Sequence, residues 1–442
     1  MATRRILILG GGFAGVYTTL ALERRLRHRD DVEVLLVSRE NFFTFTPMLH
    51  EVAASDLEVT HTVNPIRKLL RRAHFLLAEV RAIDLEARQV RVSHLPDRHE
   101  HVLDFDHLVL ALGSTTNFHG LPGAEHALSM KSLGDAIHLR NRMIQQLEDA
   151  DTECAARAGQ RESLAACVVA GGGFAGVETL AAVNDFVRES LRFYPHLDAS
   201  RLRMVLVHSG EAILPELDPR LGRYAERKLA ERGVELRLGR RVRGFSGEEV
   251  LLDDGTRIPS RLLVWTAGTA PSPLLEPLTC KKEGGRVVVR ETLELPEWPG
   301  VWALGDCAWI LDPRSGRPHP PTAQHALREA RTLAYNLVAR LRGRPGRPFL
   351  FSTVGQLAAI GRRSGVASLF GLRFSGGIAW FLWRTIYWAK LPRLEKKLRV
   401  AIDWTLDLIF SKDLVQLGVT RSDSMAPGAA AQPAGRPGIQ GP

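Results

Sequence analysis

The stretch that decides the fold is GGGFAGV, which occupies Gly10–Val16 and occurs again, unchanged, at Gly171–Val177. Each copy follows a short apolar run, ILIL at 6–9 and CVVA at 167–170. A glycine turn between a strand and a helix lets the backbone approach a pyrophosphate, and the helix N-terminus supplies positive potential. Two dinucleotide sites with the spacing G-x-G-x-x-G are therefore predicted, at Gly10, Gly12 and Gly15 and at Gly171, Gly173 and Gly176.

The sequence around the two turns repeats as well. We expect a strand at Ile6–Leu9, a helix at about Phe13–Arg27 and a second strand at Val32–Val37. A β-rich stretch at 75–92 and a buried strand entering a turn at 105–114 should follow. The second unit has matching elements at 167–170, from about Phe174, at 202–208 and at 262–273. This order predicts an α/β fold with two Rossmann-like dinucleotide-binding domains that carry inserted β-ribbons.

The residue that ends the second strand of such a unit is normally an acid that holds the ribose. Here that position is Ser38, followed by Arg39 and Glu40, and in the second unit it is His208. Two alternatives stay open: either Glu40 and Glu211 bind the ribose in place of the missing acid, or a hydroxyl or an imidazole replaces it. The departure in the second unit leaves NAD against NADP undecided.

Length, charge and cysteine content limit the remaining choices. A chain of 442 residues is expected to form two or three domains, and its net charge of +10 favours an acidic partner surface. Without an aromatic-interleaved basic motif, anionic lipid is the better candidate than nucleic acid. The opening MATRRILILGGG is more typical of a strand than of a secretory signal. No apolar stretch reaches the roughly 20 residues that a spanning helix needs.

The four cysteines show neither a C-x-x-C motif nor metal-ligand spacing. We expect no metal site and a reducing compartment. The cysteines are Cys154, Cys167, Cys280 and Cys307.

Residues 375–410 differ in kind from the rest of the chain and are predicted to form amphipathic helices. Four of the eight tryptophans lie here, at Trp380, Trp383, Trp388 and Trp404. In a helix over Leu398–Phe410, one face would carry Leu398, Ile402, Thr405 and Ile409, and another Arg399, Asp403 and Asp407. Between the two apolar pieces lie Lys390, Arg393, Lys396 and Lys397. This pattern fits a helix lying on a membrane, and a core or dimer-interface helix pair is the alternative.

Asp306 ends a buried strand in GVWALGDCA, and the helix-like stretch PPTAQHALREARTLAYNLVARL follows at 320–341. An aspartate in this position is often only a helix N-cap. The combination also suits an FAD site, since a carboxylate holds a ribityl hydroxyl and a helix N-terminus stabilises charge on the reduced flavin.

With these pieces together, the chain resembles the type II NADH:quinone oxidoreductases, or alternative NADH dehydrogenases. The resemblance extends over most of residues 5–410. The matching stretches are ILILGGGFAGV, NFFTFTPMLHEVA, LVLALGSTTNFHGLPGAEHALSMKSLGDAIHLRNRM, GGGFAGVETLA, WTAG, VWALGDCA, PPTAQHALREA and LAAIGRRSGVA.

The resemblance implies roles for individual positions. FAD would be bound by Gly10, Gly12, Phe13, Ala14, Gly15, Ser38, Arg39, Glu40, Gly113, Gly305, Asp306, Ala323 and Gln324. NADH would be bound by Gly171, Gly173, Phe174, Gly176, Glu178, His208 and Gly268. Glu178 matches a family glutamate where nicotinamide, flavin and quinone meet, with a first-turn glutamate favoured by the helix dipole as the alternative. Gln324 matches the first glutamine of the family's A-Q-x-A-x-Q quinone stretch, and Arg328 stands at the second.

The implied activity is that of an FAD-dependent, non-proton-pumping NADH:quinone oxidoreductase. Hydride would pass from NADH to flavin N5, and two electrons would then reach a membrane quinone, with Glu178 and Gln324 as catalytic residues. The enzyme would be peripheral, on the cytoplasmic face of the inner membrane, and a homodimer stays open. The expected parts are a discontinuous FAD domain at 1–118 and 285–370 and an NADH domain at 119–284. Membrane-surface helices at 371–412 and a disordered tail at 413–442 should follow.

Four other functions remain as alternatives. A soluble-acceptor NAD(P)H dehydrogenase is the nearest, because Arg328 departs from the quinone motif. A sulfide:quinone oxidoreductase or a flavin disulfide reductase needs a redox cysteine pair, yet no cysteine precedes Cys154. A non-catalytic nucleotide sensor would bring two redox partners together without a reaction.

Overall fold

The computed structural model of this chain describes residues 3–94, 98–152 and 163–418. Cys154 and the part of the expected tail from residue 419 onward lie outside these ranges. Within the described ranges, no helix combines the length and the apolar character that crossing a bilayer requires.

The strands, numbered along the chain, fall into three stretches. The first stretch contains β1 Arg4–Leu9, β2 Val32–Ser38, β3 Phe42–Thr44, β4 Val63–Pro65, β5 His74–Leu77, β6 Glu79–Asp84, β7 Gln89–Ser93, β8 Glu100–Asp104, β9 His107–Leu110 and β10 Ser114–Thr116. The second contains β11 Leu128–Ser129, β12 Ala166–Ala170, β13 Arg203–His208, β14 Val234–Leu238, β15 Val242–Phe245, β16 Glu249–Leu252, β17 Arg257–Pro259, β18 Leu263–Trp265 and β19 Thr269–Pro271. The third contains β20 Lys282–Glu283, β21 Arg286–Val288, β22 Val301–Ala303, β23 Ala308–Trp309, β24 Gly355–Ala359, β25 Gly365–Leu369 and β26 Leu372–Ser375.

The helices of the described residues follow the apolar periodicity of the sequence. They are α1 Phe13–Arg25, α2 Leu49–Ala53, α3 Ile66–Leu69, α4 Leu133–Thr152, α5 Phe174–Ser190, α6 Pro219–Glu231, α7 Ala323–Leu341, α8 Gly376–Lys390 and α9 Leu394–Ile409.

Two five-stranded parallel sheets form the framework. The first has the strand order β22-β9-β1-β2-β5 and the second has the order β11-β18-β12-β13-β14. In each sheet the central strand, β1 or β12, runs directly into a GGGFAGV turn. The strand order reverses beside these central strands, and the crevice at such a switch point is where open α/β sheets bind ligands.

Antiparallel ribbons extend both sheets, as the β-rich stretches predicted. Strands β6, β7 and β8 form one three-stranded ribbon, and β15, β16 and β17 form the other. A large apolar core is continuous through both halves, and a smaller one lies between the second sheet and its ribbon. The predicted α/β class with paired dinucleotide-binding folds and C-terminal helices is confirmed.

Candidate active site

The two glycine turns have the same geometry. Gly10 and Gly171 adopt φ of 115° and 117°, a region that favours glycine, and a Cβ on either would collide with a neighbouring strand connection. The middle glycines face open space instead. Nothing lies within 4 Å of a Cβ built on Gly12, and the nearest atom at Gly173 is the Glu216 Oε1, at 4.0 Å. Each turn therefore has a closed side against the sheet and an open side for a ligand.

The third glycine of each turn allows close packing of the following helix. A Cβ on Gly15 or Gly176 would overlap the carbonyl group of the first glycine in the same turn. Helix α1 begins at Phe13 and α5 begins at Phe174, directly after the middle glycines. The free N–H groups of both helix N-termini therefore lie beside the open side of a turn.

A two-stranded ribbon joins the carboxyl ends of the two sheets. Strand β10, which follows the turn at Gly113, pairs with β19, which follows the turn at Gly268. Ser114 lies opposite Pro271 in this pairing. The Asn117 N–H also donates to the Gly268 carbonyl oxygen at 3.1 Å. The two dinucleotide-binding units therefore meet at their ligand-binding edges.

Asp306 lies in a short turn after β22, where it contacts this ribbon. Its Oδ2 accepts from the Ser114 Oγ at 2.6 Å and lies 3.9 Å from the Lys131 Nζ. Lys131 also donates to the Ser114 side chain, and burial lowers the pKa of its ammonium group although Asp306 opposes the change. Asp306 does not cap α7, because Thr322 is the N-cap of that helix. The N-cap alternative is therefore wrong for Asp306.

Glu329, two turns beyond the N-cap of α7, fixes the position of the Asp306 turn. Its Oε2 accepts from the Gly305 N–H at 2.8 Å, and its side chain is buried. Burial raises the pKa of this carboxyl group to about 7, with Asp306 adding to the rise. Ala323 opens α7, and Thr322 and His325 at this end of the helix line the same small cavity as Gly305.

The residues that end the second strands stay close to the glycine turns. Ser38 is buried, and its Oγ accepts from the Glu40 N–H at 3.3 Å, while Arg39 is exposed. The Nδ1 of His208 accepts from the Gly172 N–H at 3.1 Å. Burial lowers the pKa of His208, which leaves the imidazole neutral beside the second turn.

Glu178 is the residue around which the second dinucleotide-binding unit meets the C-terminal helices. Its Oε1 accepts from the Trp383 Nε1 at 2.9 Å and from the Ala359 N–H at 3.0 Å. Burial raises the pKa of its carboxyl group to about 8, although both donors act in the opposite direction. Glu178 is the fifth residue of α5, beyond the first turn, so the helix-dipole alternative does not account for it.

A continuous run of aromatic rings connects the start of α1 to Glu178. The Phe13 and Phe45 ring centroids are 5.6 Å apart, Phe45 and Tyr387 are 6.1 Å apart, and Tyr387 and Trp383 are 4.8 Å apart. Trp383 then donates to Glu178. The side chains beside the first glycine turn and the second are thus parts of one packed site.

Gln324 and Arg328 lie on α7, near the C-terminal β-strands. The Gln324 Nε2 donates to the Gly355 carbonyl oxygen at 3.3 Å. Arg328 donates to the Gln324 carbonyl oxygen at 3.0 Å, and its guanidinium lies 4.1 Å from the Phe351 ring centroid. The arginine that replaces the second glutamine is therefore held by its own helix and by an aromatic face.

A buried charged cluster lies behind Glu178, where α2 meets the C-terminal helices. Lys412 Nζ contacts Asp56 Oδ1 at 2.5 Å, and the Trp404 Nε1 donates to both carboxyl oxygens of Glu51 at 3.2 Å. Burial raises the pKa of Glu51 to about 8 and of Asp56 to about 6. Burial also opposes the charge of Lys412, but Asp56 outweighs it and raises the lysine pKa.

Many aliphatic side chains of the C-terminal helices are exposed, whereas Asp403 and Asp407 point inward. Asp403 contacts the His61 Nδ1 at 2.5 Å, and Asp407 lies 3.6 Å from Arg384. Thirteen of the eighteen exposed large hydrophobic residues in the described ranges belong to residues 370–417. We call these thirteen the apolar surface: Phe370, Leu372, Ile378, Phe381, Leu394, Leu398, Ile402, Leu406, Leu408, Ile409, Phe410, Val415 and Leu417.

Two expectations for this region are wrong in detail. Trp383 and Trp404 are buried and donate to carboxylates, so they are not available to lipid headgroups. Lys396 belongs to α9 and is buried, because its Nζ donates to the Thr60 carbonyl oxygen at 2.6 Å. The exposed aliphatic residues, not these tryptophans and this lysine, form the outward face.

Several residues of the site were not predicted from the sequence. Ser114, Lys131 and Glu329 all lie within stretches that were noticed, but nothing local indicated their contacts with the Asp306 turn. His50 and Glu51 lie in NFFTFTPMLHEVA, and their polarity inside an otherwise apolar segment was the available signal. The described cysteines are free thiols, and burial raises the pKa values of Cys167 and Cys307 to about 12 and about 11.

The residues present fit two dinucleotides. Both middle glycines leave the space that a pyrophosphate backbone needs, and each lies at a helix N-terminus. At the first site, Asp306 supplies a carboxylate that Ser114 and Lys131 orient, as a ribityl hydroxyl would require.

Comparison with known proteins agrees with this arrangement. Residues 4–330 match the pyridine nucleotide-disulphide oxidoreductase family, and residues 354–413 match the NDH2 C-terminal domain. A probable NADH dehydrogenase of Dictyostelium discoideum is 31% identical over 93% of this chain and 90% of that protein. A type II NADH:quinone oxidoreductase of Mycobacterium tuberculosis is 31% identical over 96% of this chain and 91% of that protein. NDH2 from Plasmodium falciparum, solved in complex with NADH, shares the fold with a TM-score of 0.84 at 20% identity, covering 93% of this chain and 100% of that one.

Proposed function

The chain belongs to the type II NADH:quinone oxidoreductases of the pyridine nucleotide-disulphide oxidoreductase family, and we propose which of its residues carry the family's reaction. It is an oxidoreductase that uses FAD, takes NADH as its substrate and reduces quinone without pumping protons. The observation that supports the proposed site is the β10–β19 ribbon, because it brings the ligand-binding edges of both sheets together.

The first glycine turn holds the FAD pyrophosphate through Gly10, Gly12 and Gly15 and the N-terminus of α1. Ser38, Arg39 and Glu40 lie at the ribose end of this site, while Gly113, Gly305 and Asp306 lie at its flavin end with Ala323 and Gln324. Asp306 is pre-oriented for a ribityl hydroxyl because Ser114 donates to it. The N-terminus of α7 provides positive potential for the flavin end.

The second glycine turn holds the NADH pyrophosphate through Gly171, Gly173 and Gly176, with Phe174 at the start of α5. His208 lies at the ribose end of this site. Gly268 lies toward the nicotinamide, next to the β10–β19 ribbon that connects the two sites. An FAD domain at 1–118 and 285–370 and an NADH domain at 119–284 follow from this division.

The chemistry that bound FAD supplies is acceptance of a hydride from nicotinamide C4 at N5, followed by release of two electrons to quinone. Glu178 holds a proton for the quinone. Because both hydrogen-bond donors reach its Oε1, the proton of the neutral acid resides on Oε2. Gln324 positions the quinone from the α7 side. A pKa of about 8 suits proton transfer near neutral pH.

Quinone reaches the site from a membrane on which the apolar surface rests, over residues 371–412. Ten of the thirteen side chains of the apolar surface lie in this region, more than scattered surface residues explain, and the chain carries a net charge of +10 that favours anionic lipid. We place the protein at the cytoplasmic face of the inner membrane, a reducing compartment that suits its free thiols. A second copy of the chain is the competing occupant of the surface.

Glu178→Gln tests the assignment of the proton to Glu178. The amide keeps an oxygen that accepts from Trp383 and Ala359, so the fold is retained while the acidic proton is lost. Stopped-flow reduction of the flavin by NADH should be unchanged, whereas reoxidation by a short-chain quinone should slow by roughly 100-fold, the range of general acid catalysis. Unchanged reoxidation would remove Glu178 from the mechanism.

A further inference from the structure

His50 faces Oε2 of Glu178, the carboxyl oxygen that has no hydrogen-bond donor among the described residues. Glu178 Oε1 accepts from Trp383 and Ala359, whereas the His50 Nδ1 lies 4.0 Å from Oε2. The imidazole packs edge-on against the Trp383 indole, with ring centroids 5.3 Å apart at 62°. The same tryptophan therefore holds both the carboxyl group and the imidazole in place.

The proton of the neutral imidazole belongs on Nδ1. Burial lowers the pKa of His50 to about 3, with the charge of Lys412 adding to the fall, so the ring carries a single N–H. Its Nε2 is buried and has no hydrogen-bond partner among the described residues. A buried N–H with no acceptor nearby is costly, so we assign the proton to Nδ1, which has a carboxyl oxygen 4.0 Å away, and not to Nε2.

The separation of 4.0 Å is too long for a hydrogen bond, so the neutral acid and the neutral ring are not bonded to each other in this structure. Loss of the Glu178 proton changes this, because a buried carboxylate attracts any N–H within reach. A shift of about 1 Å by either side chain closes the gap to hydrogen-bond distance.

We propose that His50 is a positioning residue for Glu178. After Glu178 has given its proton to quinone, the His50 Nδ1 donates a hydrogen bond to Oε2 of the resulting carboxylate. The proposal rests on the proposed role of Glu178. No bond other than this hydrogen bond forms, and the imidazole stays neutral throughout. His50 thereby stabilises the ionised acid and makes Glu178 a better proton donor.

Other charged groups surround the pair and have to be accounted for. Tyr387 on α8 faces Glu178, and Lys412 faces His50 from the C-terminal segment. On α4, Arg140 is paired electrostatically with Asp413 and Glu58 and not with the imidazole. The remaining titratable groups form the cluster behind His50, namely Glu51, Asp56, Arg384 and Asp407. Among the described residues, His50 is the cationic-type side chain whose nitrogen comes within 4.0 Å of Oε2.

The test compares His50→Leu with His50→Asn in the FAD-loaded full chain. Asparagine places an amide nitrogen as far from Cβ as Nδ1 is, so it keeps the donor, whereas leucine fills similar space without one. We expect His50→Leu to raise the pKa of Glu178 by about one pH unit, as loss of a hydrogen bond to a charged group implies. The alkaline limb of quinone reduction should move up equally, and turnover should fall by roughly threefold to tenfold. His50→Asn should follow the wild-type profile, and the KM for NADH should not change.

A second measurement removes the dependence on turnover. The infrared band of the protonated Glu178 carboxyl group, identified by its loss in Glu178→Gln, is titrated in the wild type and in His50→Leu. A higher midpoint in His50→Leu supports the proposal. Equal midpoints, or an equal change in His50→Asn, overturn it while leaving the NADH:quinone activity and the role of Glu178 intact. If Glu178→Gln keeps the wild-type pH profile, the proposed role of Glu178 fails, which is a separate result.

Discussion

Removing aliphatic side chains from the outward face of α9 should weaken membrane binding by a calculable amount. Leu398, Ile402 and Leu406 are 55%, 57% and 46% exposed. Full burial of a leucine or isoleucine contributes about 1.5–3 kcal/mol, so burying the exposed half contributes about 1 kcal/mol each. Replacing all three by serine should cost about 3 kcal/mol, or roughly 100-fold in the partition coefficient.

The assay is sedimentation with vesicles of mixed neutral and anionic lipid, over a range of lipid concentrations. The chain offers a matched control in Val102, Leu350 and Leu311, which are 57%, 54% and 44% exposed and lie outside residues 370–417. Substituting these three by serine removes nearly the same exposed apolar character and should leave binding within about twofold, since surface changes away from the contact are nearly neutral.

Two results would refute this reasoning. Equal losses in both triple variants would mean that apolar content, and not its position on α9, governs binding. Unchanged vesicle binding together with dissociation of a dimer, measured by light scattering, would assign the apolar surface to a second copy of the chain. Flavin content and melting temperature should match the wild type in both variants, because all six side chains are exposed.

The remaining predictions concern the two nucleotide sites and the buried acids. Gly12→Ala should fold but lose FAD, whereas Gly173→Ala should keep FAD and raise the KM for NADH by roughly tenfold or more. The reason is that each added methyl group enters the space of a pyrophosphate and touches no protein atom closer than 4.0 Å. Flavin absorbance and NADH titration separate the two variants, and loss of FAD from both would contradict the assignment. Glu51 has a folded-state pKa of about 8 against an ordinary 4.5, so the folded chain binds the extra proton, and stability present below pH 4.5 is lost as the pH rises through 8. Glu51→Gln should therefore flatten the decline of melting temperature between pH 5 and 8, and parallel declines in both proteins would show that Glu51 does not titrate there.

A feature of this structure was predictable from the sequence when residues close together in the chain specify it. The strand, glycine turn and helix at Gly10–Val16 and Gly171–Val177 are specified by neighbouring residues, so both units and the family were predictable. Asp306 was also found from its local setting at the end of β22. Its partners Ser114 and Lys131 precede it by 192 and 175 residues (306 − 114 and 306 − 131), and no local pattern indicates such a contact.

The C-terminal helices show that helical periodicity does not determine which face of a helix is buried. Helical spacing separated an aliphatic face from the face of Asp403 and Asp407, but it does not say which face is buried. The acidic face turned inward because His61 and Arg384 are there to pair with it, and the aliphatic face was left exposed. In the same way, the indole of Trp383 was expected at lipid, and its partner Glu178 lies 205 residues away.

The central claim is that the two dinucleotide sites place a nicotinamide against a flavin from which a quinone takes electrons. Anaerobic stopped-flow mixing of the FAD-loaded protein with NADH, followed by a short-chain quinone, tests it most directly. We expect one equivalent of NADH to bleach the flavin absorbance and one equivalent of quinone to restore it fully. A flavin that NADH leaves oxidised, in protein that binds both nucleotides, would contradict it.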